Sequence, residues 1–268
     1  MDNPGSGSLA VLNRPDEIAA ARVSAGMVQG GAQGSYRSAA NWTETWPDAR
    51  PDTEALGADA SDAPPRGDLV KAVFDRTAAL AGVLLLLPLL LLVAVLVWLD
   101  DPGPVLFSHP RVGRGGRVFR CLKFRTMVRN GDEVLSRHLD SHPEAAREWD
   151  AQRKLRHDPR VTPLGRALRK SSIDELPQLF NVLRGDMSLV GPRPIVEAEA
   201  RYYGAAMRDY TSVRPGLTGL WQVGGRSDTS YAERVRLDQA YVRSRSLWLD
   251  LRIILRTVVV VVKGRGSY

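Results

Sequence analysis

The run Ser171-Ser172-Ile173-Asp174-Glu175-Leu176-Pro177-Gln178-Leu179-Phe180-Asn181-Val182-Leu183-Arg184-Gly185-Asp186 decides how the rest of the chain is read. Leu176, Leu179, Phe180 and Leu183 recur at helical spacing on one face, and Gly185 offers a C-terminal stop. Pro177 lacks an N–H and is tolerated in a first turn, where donors have no intrahelical acceptor. The spacing therefore predicts a helix starting near Asp174, with Asp174 and Glu175 at the positive end of its dipole. Two uses of these residues compete. Ser172 and Glu175 fit a capping box. Alternatively, two carboxylates flanked by cations suit metal-assisted chemistry at a phosphate, an anion that a helix start also favours. Arg166, Arg169 and Lys170 lie upstream, and Gly191-Pro192-Arg193-Pro194 lies downstream. Prolines on both sides of Arg193 hold its backbone rigidly, which suits either a surface turn or a guanidinium presented to phosphate.

Outward from this stretch, charge divides the 268 residues unevenly. Residues 1–66 carry five Lys/Arg against nine Asp/Glu, and the remainder 32 against 21. An acidic tail on a basic body implies an anionic partner, whether nucleic acid, anionic lipid or a phosphorylated substrate. The tail is rich in Gly, Ala, Ser, Asp and Pro without apolar periodicity and reads as disordered. Its start, Met1-Asp2-Asn3-Pro4-Gly5, does not read as a signal peptide. The single cysteine, Cys121, excludes an intrachain disulfide and a cysteine zinc cluster; its strand setting makes it a core residue.

Residues 77–99 carry no charge, enough helix for about 35 Å, more than a hydrocarbon core requires. Lys71 and Arg76 precede this segment, Trp98 stands at its far end and Pro88 near its middle. Proline deletes a backbone hydrogen bond and bends a helix. Arg111, Arg114, Arg117, Arg120, Lys123 and Arg125 follow soon after, so cations on both flanks draw both ends to the cytoplasm. A proline-kinked re-entrant helix satisfies that demand better than a straight span.

Beyond it, residues 105–107 and 118–125 read as strands joined by turns at Gly113 and Gly115-Gly116. Residues 132–156 read as a charged, solvated helix interrupted near Pro143, with His138, His142 and His157 at its surface. Thr162-Pro163 opens a short helix carrying Arg166 and Arg169. Residues 187–190 and 220–223 look extended, 231–243 helical, and 247–262 a second helix that packs on the core with some interfacial contact.

In order, Lys71-Ala72-Val73-Phe74-Asp75-Arg76, Lys123-Phe124-Arg125-Thr126-Met127, Asp174-Glu175-Leu176-Pro177-Gln178-Leu179, Gly185-Asp186-Met187-Ser188-Leu189-Val190-Gly191-Pro192-Arg193-Pro194 and Arg214-Pro215-Gly216-Leu217-Thr218-Gly219 resemble the motifs of the bacterial sugar transferases. These are monotopic phosphoglycosyl transferases of the exopolysaccharide type, and the likeness covers residues 68–268. The resemblance implies an α+β fold: a mostly helical cytoplasmic catalytic domain over 102–268, with a small β-hairpin and a C-terminal amphipathic helix. Residues 67–101 would be its re-entrant anchor, with Lys71, Arg76, Pro88 and Trp98 as anchoring positions.

It implies transfer of a sugar 1-phosphate from a nucleoside diphosphate sugar, expected to be a UDP-sugar, to polyprenyl (undecaprenyl) phosphate at the cell (inner) membrane. Asp174 would be the nucleophile and a Mg²⁺ ligand, and Glu175 its acidic neighbour. Lys123, Arg125, Arg169, Pro192, Arg193 and Pro194 would line the substrate site. No nucleic-acid partner is implied, and a homo-oligomer stays open. Leu87 stands where the family often places serine before the proline. Larger relatives carry further transmembrane helices and an extra domain ahead of the catalytic part; here the tail is expected to replace them. Two rival readings are a membrane-tethered adaptor without catalysis and a hydrolase of nucleoside diphosphate sugars. Residues 224–231 are the expected sugar-reading loop.

Overall fold

The computed structural model describes residues 66–152, 154–224 and 230–262, so the acidic tail and most of the expected sugar-reading loop lie outside the described residues. The first element, α1 (Arg66–Asp100), is a single helix that includes Pro88. Ala72, Ala79, Val83, Leu90, Val93 and Val97 form a buried stripe at helical spacing along it. The opposite face is equally apolar yet open: Leu84, Leu91, Leu92 and Val95 are exposed, and Leu85 is 80% exposed. Pro88 and Trp98 lie on that open side. A helix apolar all round with one side uncovered has the character of a lipid-facing element.

Strands β1 (Leu106–Val112) and β2 (Val118–Phe124) form an antiparallel hairpin closed at Val112–Val118. Its tip turns through Arg114–Gly116, with Gly115 and Gly116 at φ 65° and 75°. Those positive φ values favour glycine. β1 runs further than the sequence predicted, straight through Pro110, because a two-stranded sheet has only edges and an edge tolerates a missing donor. Helices α2 (Gly131–Ser141) and α3 (Pro143–Gln152) break at Pro143 as expected. In α4 (Pro163–Ser171), Thr162 Oγ1 accepts from Gly165 N at 2.9 Å, capping the orphan donors of the first turn.

Ser172 then adopts a left-handed conformation, φ 58°, and the chain enters a short 3₁₀ turn, Ile173–Glu175, before α5 (Gln178–Arg184). The helix thus begins four residues later than its apolar spacing predicts. Pro177 has no N–H to bond the Ile173 carbonyl, so Leu176 N bonds it instead at 3.1 Å, and the i+3 pattern persists to Phe180. Gly185, φ 87°, ends α5 where the sequence placed the stop.

The chain continues with β3 (Ser188–Val190), α6 (Ala200–Tyr203), α7 (Met207–Thr211) and β4 (Gly216–Thr218), which pairs in parallel with β3. Next come α8 (Leu220–Gly224), α9 (Tyr231–Ser244) and α10 (Leu247–Val262). The extended segment expected at 220–223 is instead α8, which buries Trp221. The expected mostly helical α+β class stands, with two small sheets.

One fully buried side chain joins the hairpin to α5. Asn181, 0% exposed, accepts from Leu122 N at 2.9 Å and donates to Arg120 O at 2.8 Å. It supplies the edge of β2 with the partners a third strand would give. Around it, Ala79, Val83, Cys121, Leu179, Val182 and Met187 form a core shared by α1, β2 and α5.

Candidate active site

The 3₁₀ turn sits between two helices that both lean on α1. Ile173 and Leu176, three apart and so on one face, join the apolar cluster of Leu90, Val93, Val97, Phe124 and Leu168. Asp174 and Glu175 are thereby directed to β2, whose Lys123 meets both. Lys123 Nζ lies 2.7 Å from Glu175 Oε1 and 3.8 Å from Asp174 Oδ2. The capping box is not formed: the Ser172 side chain makes no capping bond, and Glu175 is taken by Lys123.

The two acids are driven apart electrostatically. Asp174 is 7% exposed, and burial pushes its carboxyl up to about 6, against the pull of Lys123 and with help from the Glu175 charge. Burial would raise Glu175 too, but Lys123, Arg193 and Arg111 together outweigh it and hold that carboxyl below its ordinary value. One acid is firmly ionised and ion-paired; the other is desolvated and poised near neutrality, which is how a reactive carboxylate is set apart from a structural one.

An open cleft of about 290 Å³ is lined by Glu175 with Arg111, Lys123, Gln178, Arg193 and Pro194, and Cys121 in its wall. Asp174 is not among its lining residues and reaches it through Lys123, 3.8 Å away. Arg193 stands exposed over the Trp221 ring, 5.7 Å from its centroid, and Arg234 stacks on the same ring at 4.8 Å. Pro192 is fully buried, and its carbonyl accepts from Gly216 N at 2.8 Å, pinning the arginine's backbone to β4. Arg111 on β1 was not singled out from the sequence as a site residue. Its guanidinium donates to Pro194 O at 3.3 Å, and burial followed by the nearby Arg193 charge lowers its pKa. Only the pairing of β1 with β2 puts it on the hairpin that also carries Lys123 to the cleft, so no local motif marks it.

Other expected site residues sit elsewhere. Arg125 is not among the residues lining the cleft: its guanidinium bonds the backbone carbonyl and carboxylate of Asp101, the latter at 3.1 Å, and so holds the exit of α1. Arg169 donates to Thr126 Oγ1 at 2.9 Å and contributes positive charge to the surroundings of Asp174, behind the acid pair. Lys71 lies between Asp75 at 2.8 Å and Asp250 at 2.9 Å, an internal ion pair rather than a free interfacial cation. Arg76 is exposed.

Among the described residues no group of three His, Cys, Asp or Glu side chains could enclose a metal. Asp174 with Glu175 fits a hard divalent ion that takes one or two protein carboxylates and completes its shell with phosphate oxygens and water.

An acid pair beside a cation-lined cleft, against an apolar helix with an open face, suits chemistry on an anionic substrate. The bacterial sugar transferase family profile matches residues 66–264, and the chain belongs to that family. The chain is 52% identical over 204 residues to the exopolysaccharide production protein ExoY of Rhizobium meliloti (strain 1021), covering 76% of this chain and 90% of that protein. It is 46% identical over 209 residues, 75% of this chain and 73% of the other, to the UDP-glucose:undecaprenyl-phosphate glucose-1-phosphate transferase of Caulobacter vibrioides. Undecaprenyl-phosphate galactose phosphotransferase of Salmonella typhimurium is 47% identical over 202 residues, 74% of this chain but 42% of that protein. The chain is accordingly an enzyme of the phosphoglycosyl transferase class.

Proposed function

We propose that this enzyme moves a sugar 1-phosphate from a UDP-sugar to undecaprenyl phosphate, initiating an exopolysaccharide or related glycan. The Caulobacter relative is named for a UDP-sugar donor and an undecaprenyl-phosphate acceptor, and the Salmonella relative for that acceptor. The buried, charge-poised Asp174 near a cationic cleft carries the reading.

Ionised Asp174 attacks the sugar-proximal phosphorus, and the bond from that phosphorus to the bridging oxygen breaks, releasing UMP. Lys123, Arg193 and Arg111, which line the cleft, hold phosphate oxygens on this reading and offset charge developing on the diphosphate. In the second step an oxygen of the lipid phosphate attacks the phosphosugar-aspartyl phosphorus, and the Asp174 carboxylate leaves. Mg²⁺, held by Asp174 together with substrate oxygens, would screen the diphosphate charge and assist the leaving group. Glu175 keeps Lys123 in place.

The buried stripe of α1 supports a helix that enters one leaflet and lies along the catalytic domain. Its residues from Ala79 to Val97 touch α4, α5, β2 and the 3₁₀ turn. A straight span would carry those charged elements into hydrocarbon, at a cost of several kcal/mol per ion. Pro88 on the open side is compatible with bending toward the interface. The outer face of α10, with Trp248, Leu251, Leu255 and Val258 exposed beside Arg252 and Arg256, suits contact with an anionic membrane surface.

Purified protein incubated with UDP-sugars, Mg²⁺ and undecaprenyl phosphate tests the reaction. UMP release that requires Asp174, with a phosphosugar adduct trapped on that residue, is the expected result. Release unchanged in Asp174→Asn overturns the nucleophile, and release without glycolipid under any condition identifies a hydrolase. Cysteines placed on both sides of α1 should be shielded from impermeant reagents in intact cells; labelling on one side alone overturns the re-entrant topology.

A further inference from the structure

A second cleft, with about 360 Å³ of empty space, opens at the start of α1 and is not part of the acid-pair site. Asp68, Lys71 and Asp75 of α1 line it with Arg114 from the hairpin tip, Arg214 and Arg245. Nearly every charge there is matched. Asp68 receives Arg114 at 3.1 Å and Arg245 at 2.8 Å, and Lys71 joins Asp75 to Asp250. Ser188 Oγ donates to the second oxygen of Asp75 at 2.7 Å, and the Tyr241 hydroxyl donates to Asp250 at 2.7 Å.

Arg214 is the exception. Half-buried, it has no carboxylate within ion-pair distance among the described residues. Burial, then the like charges of Arg114 and Arg76, lowers its pKa. Lys71, Arg114, Arg214 and Arg245 thus line the cleft against two lining carboxylates, Asp68 and Asp75, with Asp250 behind Lys71. Among the described residues Arg214 is the cation left without an ion-pair partner, its guanidinium partly withdrawn from water. That arrangement is unfavourable alone and is relieved by an anion with two accepting oxygens matched to the guanidinium fork. The adjoining chain is apolar and uncovered: Leu69 and Val73 flank Asp68 and Lys71 on α1, and Leu247 and Trp248 follow Arg245. A ligand fitting both features is an amphiphile with a phosphate head.

We propose that this cleft binds the phosphate of an anionic phospholipid headgroup through Arg214, with the acyl chains lying along the start of α1. The proposal rests on the reading of α1 as lipid-embedded. A bound headgroup there would fix the depth at which α1 meets the interface, and hence the height of Asp174 above the lipid.

The test uses the full chain in detergent, with phosphatidylglycerol and phosphatidylcholine as probes, bound lipid counted by native mass spectrometry and liposome flotation measured in parallel. Wild type is expected to retain about one phosphatidylglycerol in preference to phosphatidylcholine, and Arg214→Gln to lower that retention about tenfold, the loss of one charge-assisted contact. Both should float equally. Arg114→Gln, at the exposed rim, carries the same test should Arg214→Gln not accumulate. Equal retention by wild type and variants, or no preference for the anionic lipid, overturns the site while leaving the membrane reading intact. Displacement by millimolar inorganic phosphate as readily as by phosphatidylglycerol assigns the cleft to free phosphate and overturns the lipid. Wild type that fails to float overturns the membrane reading itself.

Discussion

Replacing Asp174 by Asn should abolish transfer and at the same time stabilise the fold, in a pH-dependent way. The carboxyl is pushed up to about 6, chiefly because it is buried. Its ordinary value is near 4, and each tenfold change is worth about 1.4 kcal/mol, so ionising it in the folded protein costs about 3 kcal/mol relative to the unfolded chain. For a carboxyl raised in this way the folded state holds its proton longer than the unfolded state does. The penalty is therefore absent below about pH 4, grows between about 4 and 6, and is complete above. Asparagine removes it without stranding Lys123, which keeps Glu175 at 2.7 Å. At pH 7.5 the variant should melt on the order of 5 °C above wild type, and at pH 4 the two should coincide. Scanning calorimetry or tryptophan fluorescence in one detergent at both pH values reads the difference. A variant that melts with wild type at pH 7.5, or is stabilised equally at pH 4, refutes the claim that Asp174 is held ionised against burial.

Three further perturbations probe the surroundings. Lys123→Met removes the cation that lowers Asp174, so the acid limb of the kcat/KM profile should move above about 6 while activity falls at least about a hundredfold; an unmoved limb removes Lys123 from control of Asp174. Gly165→Ala would drive a methyl group into the Thr126 carbonyl oxygen, pushing α4 off the segment that follows β2; a loss of about 3 kcal/mol in denaturant melts is expected, and an unchanged midpoint contradicts the packing. Lys71→Met leaves Asp75 and Asp250 buried without their cation and should cost about 3–5 kcal/mol, largely restored by adding Asp250→Asn; lack of rescue shows that Lys71 does not act through that carboxylate.

Features built from local chemistry were legible in the sequence. The uncharged stretch became α1, Thr162-Pro163 capped α4, Gly115-Gly116 turned the hairpin and Gly185 stopped α5. Features built from pairing across the chain were not. Nothing near Arg111 announces that β1 will carry it to the cleft that Lys123 also lines, and nothing near Arg125 that Asp101 will claim it. Lys71 resembles an interfacial anchor until α10 folds back to offer Asp250. Trp221 sits in a run that alternates like a strand, and burial of its ring under two guanidiniums accompanies the helix found instead. The late start of α5 was half legible: Pro177 signalled a first turn, but the left-handed Ser172 that isolates the acids in their own turn has no sequence signature beyond a serine.

That isolation matters for the chemistry. Had α5 begun at Asp174, both acids would have faced its N-terminal dipole, which favours ionisation and lowers a carboxylate's pKa and its nucleophilicity with it. In a 3₁₀ turn, Ile173 and Leu176 fall on one face and seal against α1, which helps keep water from Asp174. The apolar helix α1 therefore also helps desolvate the carboxylate. In the proposed mechanism the apolar packing that raises Asp174 is the same packing that seats the turn on α1, while Lys123 and Arg169 pull its carboxyl back down. On the proposed reading, membrane attachment and nucleophile activation are one structural arrangement, because α1 seals the turn with its buried face between Leu86 and Val97 and leaves its other face, Leu85, Leu91, Leu92 and Val95, open to lipid.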